Sequence, residues 1–164
     1  MRKAPALFLG LTLSLVFAAT TYAEVRRGDD GPNTFPGTPE RDRYWGYGGN
    51  DTMRGGGGAD YLHGGPGHDL IAAGRGPDNV YGGRGNDEVN AGRGDDYFWG
   101  GRGADEIRAG RGADRLNSGP GNDSVYARSD DNAVDSIDCG SGTDRAVIRM
   151  GDTTVNCESV QTIP

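Results

Sequence analysis

Residues 82–117 read GGRGNDEVNAGRGDDYFWGGRGADEIRAGRGADRLN, which is nearly the same nine-residue phrase four times in succession. When the nine places of a unit are numbered from Gly46, nine units follow one another without a gap across residues 46–126. The units begin at Gly46, Gly55, Gly64, Ala73, Gly82, Ala91, Gly100, Ala109 and Ser118. An internal repeat of this length predicts a solenoid in which each unit packs only on its neighbours.

Three of the nine places never change in character. Place four is always glycine, place six is always aspartate and place eight is always apolar. A short strand at places seven to nine would point place eight into the interior, while glycines at places two and four let the chain reverse after each strand. Two units then complete one coil, and strands eighteen residues apart stack in parallel. Each coil is expected to bury two apolar side chains.

This pattern resembles the RTX, or hemolysin-type, calcium-binding nonapeptide repeat of form G-G-x-G-x-D-x-U-x. The resemblance covers about half of the chain and implies an all-β fold, a parallel β-roll solenoid with degenerate capping units. Tyr47 departs from the pattern because it replaces the second glycine of the first unit. The competing interpretation is flexible, disordered filler, which we expect only for the calcium-free state because filler has no need of an apolar residue at every place eight.

Stacking also brings the aspartates of place six together along the two edges of the roll. The predicted metal ligands are Asp51, Asp60, Asp69, Asp78, Asp87, Asp96, Asp105, Asp114 and Asp123. Ca²⁺ suits them because it accepts six to eight oxygens in flexible geometry, whereas Mg²⁺ demands a tight octahedron. Backbone carbonyls at place one are the expected further ligands, those of Gly46, Gly55, Gly64, Gly82 and Gly100. Five stacked loops on one edge and four on the other enclose about seven Ca²⁺ sites.

The flanking segments keep the register in degenerate form. Residues 24–45 are predicted to be an N-terminal linker and cap, with Asp42 at place six and Tyr44 at place eight. Three extra residues follow the last unit, and residues 127–164 are then predicted to form a C-terminal cap. Capping units protect the terminal sheet edges of a solenoid from aggregation.

The first residues predict a secretory signal peptide, residues 1–23. Two basic residues precede an apolar run that is too short to span a membrane comfortably, and small residues follow it. Its removal leaves 15 arginines against 24 acidic residues, a net charge of −9, which disfavours nucleic acid and anionic membrane surfaces as partners. In an oxidising, extracellular compartment the only two cysteines, Cys139 and Cys157, are expected to form a disulfide.

The outward places seven and nine of alternate units gather the aromatic residues on one face. The members of this predicted ligand face are Trp45, Tyr61, Tyr81, Tyr97 and Trp99. Such a face either stabilises the stacked strands or docks an extracellular polysaccharide or cell-surface partner. The sequence has no nucleophile elbow, and its GxG matches follow from glycine abundance, so we expect no enzyme. The predicted function is that of a secreted calcium-binding structural or binding module.

Overall fold

The computed structural model describes residues 23–127 and 133–164, so the predicted signal peptide lies outside the described residues except for Ala23. Within these ranges the chain forms sixteen strands and no helix. The strands are β1 Val25–Arg27, β2 Thr34–Phe35, β3 Arg43–Trp45, β4 Thr52–Gly57, β5 Tyr61–Pro66, β6 Leu70–Arg75, β7 Asn79–Arg84, β8 Glu88–Arg93, β9 Tyr97–Arg102, β10 Glu106–Arg111, β11 Arg115–Asn117, β12 Ser124–Ala127, β13 Ser136–Asp138, β14 Arg145–Arg149, β15 Thr153–Val155 and β16 Ser159–Ile163.

These strands build two eight-stranded parallel sheets. The odd-numbered strands form one sheet, which we call sheet A, and the even-numbered strands form the other, sheet B. Through the repeats each strand pairs with the strand eighteen residues away, so that Met53 lies beside Ile71 and Leu62 beside Val80. The structure confirms the predicted parallel β-roll with two units in each coil.

The strands of the repeats are longer than the sequence predicted. β4 to β10 each contain six residues and run from place seven of one unit to place three of the next, instead of ending at place nine. The extension is possible because the place-two glycines continue the pairing at positive φ, as Gly83 does at 127° beside Gly65. The chain turns at place four, where Gly85 also has a φ of 127°. Both conformations suit glycine far better than any other residue.

The interior is a narrow apolar column between the two sheets. It is filled at place eight by Met53, Leu62, Ile71, Val80, Val89, Phe98, Ile107, Leu116 and Val125, all of them buried. The longer strands also turn place one inward, which buries Ala73, Ala91 and Ala109 completely. The expectation of two buried apolar side chains in each coil was therefore too low where alanine occupies place one. The column remains thin, because most of its side chains are small or of medium size.

The N-terminal end of the column is closed by aromatic rings. Phe35 stacks on Tyr44 with 5.2 Å between ring centroids. The Tyr44 hydroxyl donates a hydrogen bond to the Pro36 carbonyl over 3.0 Å. Arg26 pairs with Tyr44 in the register and forms a salt bridge with Glu24, so the outermost coil presents a charged pair instead of another apolar side chain.

The C-terminal end continues the two sheets past the repeats. Arg115 pairs with Ser136, a separation of 21 residues that shows the three-residue insertion predicted from the sequence. β15 and β16 then add one shorter coil. The disulfide between Cys139 and Cys157, with Cα atoms 5.1 Å apart, joins this last coil to the one before it.

Candidate metal centre

The place-six aspartates form two buried ladders, one along each edge of the roll. The first ladder contains Asp51, Asp69, Asp87, Asp105 and Asp123, and the second contains Asp60, Asp78, Asp96 and Asp114. Each backbone N–H donates to the Oδ1 atom of the aspartate one coil later. The Asp51 N–H donates to Asp69 Oδ1 over 2.8 Å, and the Asp69 N–H donates to Asp87 Oδ1 over 2.8 Å. All nine side chains are at most 2% exposed.

The second oxygen of these carboxyl groups is left without a hydrogen bond along most of both ladders. Within the described part of the chain, the buried Oδ2 atom has no hydrogen-bond partner in Asp51, Asp60, Asp69, Asp78, Asp87, Asp96, Asp105 and Asp123. A buried polar atom without a partner costs about 1–3 kcal/mol, and more if it is charged. A row of such oxygens is unfavourable unless a cation or a proton satisfies it.

Backbone carbonyls approach the same points. A Cβ built on Gly82 would lie 2.5 Å from Asp87 Oδ2 and 2.6 Å from the carbonyl oxygen of Gly100, so these two oxygens face one small space. The carbonyls of Gly64 and Gly82 approach the Oδ2 atoms of Asp51 and Asp69 in the same way. The predicted carbonyl ligands Gly64, Gly82 and Gly100 therefore lie beside ladder oxygens.

The other two predicted carbonyls lie at the N-terminal end of the ladders. The Gly46 carbonyl approaches the same point beside Gly28 as the side-chain oxygen of Asn33. The Gly55 carbonyl lies beside Gly37, in the coil that precedes the repeats. These two carbonyls therefore border the caps, while Ala73 and Ser118 supply carbonyls that approach Asp60 and Asp105.

The donor set fits calcium. Within residues 23–127 and 133–164 no group of three His, Cys, Asp or Glu side chains converges on one point, so carboxylates alone cannot surround an ion. A cation at the Oδ2 atoms would draw its remaining ligands from carbonyl oxygens and water, which is the hard, all-oxygen environment that Ca²⁺ accepts. The ladder aspartates and the place-one carbonyls would hold the ion, which would supply charge neutralisation and cross-links between coils.

Burial makes these carboxyl groups weak acids in the metal-free fold. It raises the pKa of Asp60, Asp69 and Asp105 to about 6, that of Asp78 and Asp87 to about 7, and that of Asp96 to about 8. The hydrogen bond from the preceding coil offsets part of the increase. In Asp87 and Asp96 the charges of the neighbouring ladder aspartates add to it. Protons and cations therefore compete for the same oxygens near neutral pH.

At the N-terminal end, local hydrogen bonds replace the open oxygens of the ladders. Both oxygens of Asp42 are bonded, Oδ1 by the Glu24 N–H over 2.7 Å and Oδ2 by the Thr38 N–H over 2.9 Å. Asn33 takes the place of an aspartate one coil before Asp51, and its Oδ1 accepts a hydrogen bond from the Asp29 N–H over 3.0 Å. These residues end the ladders without requiring a cation.

At the C-terminal end the ladders continue through Asp135 and Asp144, which accept hydrogen bonds from the Asp114 and Asp123 N–H groups, to two residues that the sequence pattern missed. The Asp135 N–H donates to Asp152 Oδ1 over 3.0 Å, and the Asp144 N–H donates to Glu158 Oε2 over 2.7 Å. The sequence pattern did not identify Asp152 and Glu158 because the coil is shorter there and the nine-residue spacing is lost. Asp144 resembles the ladder aspartates in having a buried Oδ2 without a hydrogen bond among the described atoms.

Place five supplies a second set of contacts between turns that the sequence pattern did not reveal. The side-chain oxygens of Asn50, Asn86 and Asp95 each accept a hydrogen bond over 2.9 Å from the place-five backbone N–H of the next coil. The available signal was the recurrence of Asn and Asp at this place. These contacts fix the turns that carry the ladder aspartates.

The predicted aromatic face lies on sheet A. Trp45, His63, Tyr81 and Trp99 follow one another in register along one row, and Tyr61 and Tyr97 lie in the row beside it. Tyr61 contacts both Trp45 and Tyr81, with centroids 5.5 and 5.3 Å apart. Tyr97 and Trp99 are exposed by 38% and 43%. The rings stabilise neighbouring strands and at the same time leave an aromatic surface open to solvent.

Comparison with known proteins gives the family. A model described as the RTX calcium-binding nonapeptide repeat (4 copies) matches residues 36–71, 63–98, 72–107, 99–134 and 108–146. A comparison with curated proteins found no significant match. No helix long and apolar enough to cross a membrane occurs in the part of the chain that the structure describes. Since the matches span residues 36–146 and the described residues of this span form the coils and ladders, the chain belongs to the RTX calcium-binding nonapeptide repeat family and is a calcium-binding β-roll module.

Proposed function

We propose that this protein is an exported β-roll that folds when it captures calcium outside the cell and then serves as a structural or binding module. The observation that carries the proposal is the row of buried Oδ2 atoms without hydrogen bonds in each ladder. Ionised and metal-free, they repel one another across a single coil spacing. Bound to Ca²⁺, they cross-link successive coils.

Because the apolar core is thin, the free energy of calcium binding at the ladders is large enough to decide whether the chain folds. A site that is exposed to calcium at ten times its dissociation constant adds about 1.4 kcal/mol to the folded state. Seven such sites would add about 10 kcal/mol, which is comparable with the whole stability of an ordinary domain. Asp144 offers a further candidate oxygen at the C-terminal end of the first ladder.

A calcium titration followed by circular dichroism tests this proposal. We expect little β-structure in metal-free buffer at pH 8 and a cooperative gain of β-structure as calcium is added. Magnesium at the same ionic strength is the control and should not produce the transition. Complete β-structure without calcium would refute coupled folding, and an equal response to magnesium would refute selectivity.

The proposed location follows from the N-terminal segment. The basic residues, apolar run and small residues of residues 1–23 support export by the general secretory route. Expression of the whole chain, cell fractionation and N-terminal sequencing of the secreted material test this. A mature chain beginning at Glu24 is expected, and retention of the full chain in the cytoplasm would contradict it.

A second candidate function, favoured by the aromatic face, is docking of an extracellular polysaccharide or cell-surface partner. Rigid aromatic rings lose little conformational entropy on binding and offer apolar faces to sugar rings. Docking would require calcium because the rows exist only in the folded roll. The role is one of binding, and we propose no catalytic activity.

A polysaccharide pull-down tests this second role. Wild type is compared with a Trp45→Ala, Trp99→Ala double variant after both are shown to fold alike in calcium. Equal retention of the two proteins would mean that the rings serve only to stack the strands.

A further inference from the structure

We propose that the N-terminal half of sheet A carries a specific binding groove for an acidic saccharide, centred on Trp45. This inference rests on the proposed docking role of the aromatic face and assigns to it a location and a ligand charge. Three independent features coincide there: a pair of aromatic-walled grooves, arginines without carboxylate partners, and a strained tyrosine.

The first groove, of about 530 Å³, lies over the start of the sheet A strands. Its lining residues are Arg41, Arg43, Trp45, Ala59, Asp60, Tyr61, Pro77 and Asn79. Trp45 and Tyr61 have ring centroids 5.5 Å apart and planes inclined by 41°, which forms an angled aromatic wall. A sugar ring can lie against such a wall while its substituents reach the polar residues beside it.

The charge of this groove is positive. Arg41 and Arg43 are both exposed, and neither makes a hydrogen bond or an ion pair with a carboxylate within the described ranges. The buried Asp60 below them faces the interior, where burial raises its pKa and the charge of Arg41 offsets part of that increase. A third arginine, Arg27, lies over the Trp45 ring with its Cζ atom 5.4 Å from the centroid. Guanidinium groups that lack partners beside an aromatic wall suit a carboxylate-bearing sugar, which they can bind through paired N–H donors.

A second groove of about 520 Å³ lies on the other side of Trp45. It is lined by Asp30, Tyr47, His63 and Pro66 as well as Trp45. Trp45 lines both grooves, so a ligand that fills them must cross the indole. This arrangement fits an oligosaccharide of several units better than a single sugar or a small anion.

Tyr47 supplies the third feature. It is the one residue other than glycine at place two in the nine units, and its backbone has a φ of 71°, in the left-handed region that bulky residues rarely adopt. The side chain is 48% exposed and lines the second groove. Strain of this kind persists where a side chain has a use that glycine cannot serve. Here that use is to extend the aromatic wall of the groove.

The observations favour an acidic saccharide over other ligands. A neutral glycan would leave the arginines without a partner. A single-stranded nucleic acid also combines anionic and aromatic recognition, but its phosphates would extend along a continuous basic track. The row that begins with Arg27 and Trp45 instead continues into His63, Tyr81 and Trp99, so its basic part is confined to the N-terminal end.

Tryptophan fluorescence of the full chain in saturating calcium tests the inference. A Trp99→Phe background leaves Trp45 as the only tryptophan. The probes are tetragalacturonate, the neutral cellotetraose and a short single-stranded DNA, at matched ionic strength and fixed free calcium. We expect tetragalacturonate to change the Trp45 emission with saturation and cellotetraose to bind at least tenfold more weakly.

Matched variants separate specific recognition from diffuse charge. Arg41→Gln with Arg43→Gln should weaken tetragalacturonate binding at least tenfold, while Arg84→Gln with Arg102→Gln, an equal change of charge further along sheet A, should change it less than twofold. Tyr47→Gly should weaken binding while the melting temperature stays unchanged or rises. A fall in melting temperature on Tyr47→Gly would overturn the role given to this residue.

The outcomes distinguish this inference from the broader proposal. Equal affinity for the acidic and neutral tetrasaccharides would overturn charge recognition while leaving aromatic docking intact. Preferential binding of DNA, equal losses in both arginine pairs, or no binding of any probe would overturn the groove assignment. The calcium-coupled folding proposal is tested separately by circular dichroism and survives each of these results.

Discussion

Replacing Asp87 by alanine is the perturbation whose effect can best be worked out from the structure. Asp87 lies in the middle of the first ladder, where its Oδ1 accepts the Asp69 N–H over 2.8 Å and its own N–H donates to Asp105 Oδ1 over 2.9 Å. Alanine would leave the buried Asp69 N–H without its acceptor, at a cost of about 1–3 kcal/mol. It would also remove a ligand from the two gaps on either side. At ten times the dissociation constant these two sites contribute about 3 kcal/mol together, so the total loss should be about 4–6 kcal/mol.

Two further variants divide this loss into its parts. Asp87→Asn keeps an oxygen acceptor for the Asp69 N–H but removes the charge, so it should lose only the calcium-dependent part, about 3 kcal/mol. Asp42→Ala removes a carboxylate whose two oxygens are already hydrogen-bonded and removes no ladder ligand, so it should shift the calcium midpoint less than Asp87→Ala does.

The assay is urea unfolding at several fixed calcium concentrations, with the calcium midpoint of folding measured for each variant. Equal shifts of the calcium midpoint in Asp87→Ala and Asp42→Ala would contradict the assignment of Asp87 as a calcium ligand. That assignment would be refuted equally by an Asp87→Asn variant that matches wild type at every calcium concentration.

Three other predictions concern pH, a strand glycine and the disulfide. Burial raises the pKa values of the ladder aspartates in the metal-free fold, from 3.8 to as much as about 8 for Asp96, so protonation of these carboxyl groups stabilises the metal-free fold. This stabilisation is fully present below about pH 4 and is lost as the pH rises to 8, and metal-free melting curves that do not change over this range would contradict the prediction. Gly83→Ala should destabilise the calcium-loaded roll by more than about 1 kcal/mol in thermal melts, because its φ is 127° and the new Cβ would overlap the Gly65 carbonyl, whereas Gly57→Ala has no such overlap and should be mild; equal melts would contradict the strand pairing at positive φ. Reduction of the bond between Cys139 and Cys157, which closes a loop across 18 residues, should cost about 3 kcal/mol by the chain-entropy estimate, and a melting temperature unaffected by reductant would contradict its role in the last coil.

The repeat could be predicted from the sequence because three places recur without exception. The aspartate at place six predicts the ladders, and the apolar residue at place eight predicts the core. The eighteen-residue register of Leu62 with Val80 follows from two units in each coil. The aromatic rows follow from the same periodicity, because a whole number of coils separates Trp45 from Trp99 and therefore brings both residues to one sheet.

The remaining features depend on contacts that a period does not contain. The strands extend to place three because a glycine at positive φ can still pair, which alternation of side chains alone does not reveal. Asn33 ends the first ladder with a different side chain at the regular spacing of 18 residues, and Glu158 ends it with a different side chain at a spacing of 14 residues, so a search for repeated aspartates passes over both. In each ladder aspartate the Oδ1 atom accepts a hydrogen bond from the preceding coil, and in most of them the Oδ2 atom has no partner among the described atoms. Only the coordinates distinguish these two oxygens.

The most direct test of the central claim is an anomalous difference map from crystals of the mature chain grown in calcium. If the claim is correct, peaks lie between successive coils along both ladders, at about 2.3–2.6 Å from the Oδ2 atoms of aspartates such as Asp69 and Asp87. Well-ordered crystals of the folded roll without peaks at these oxygens, or with calcium bound only at exposed carboxylates, would contradict it.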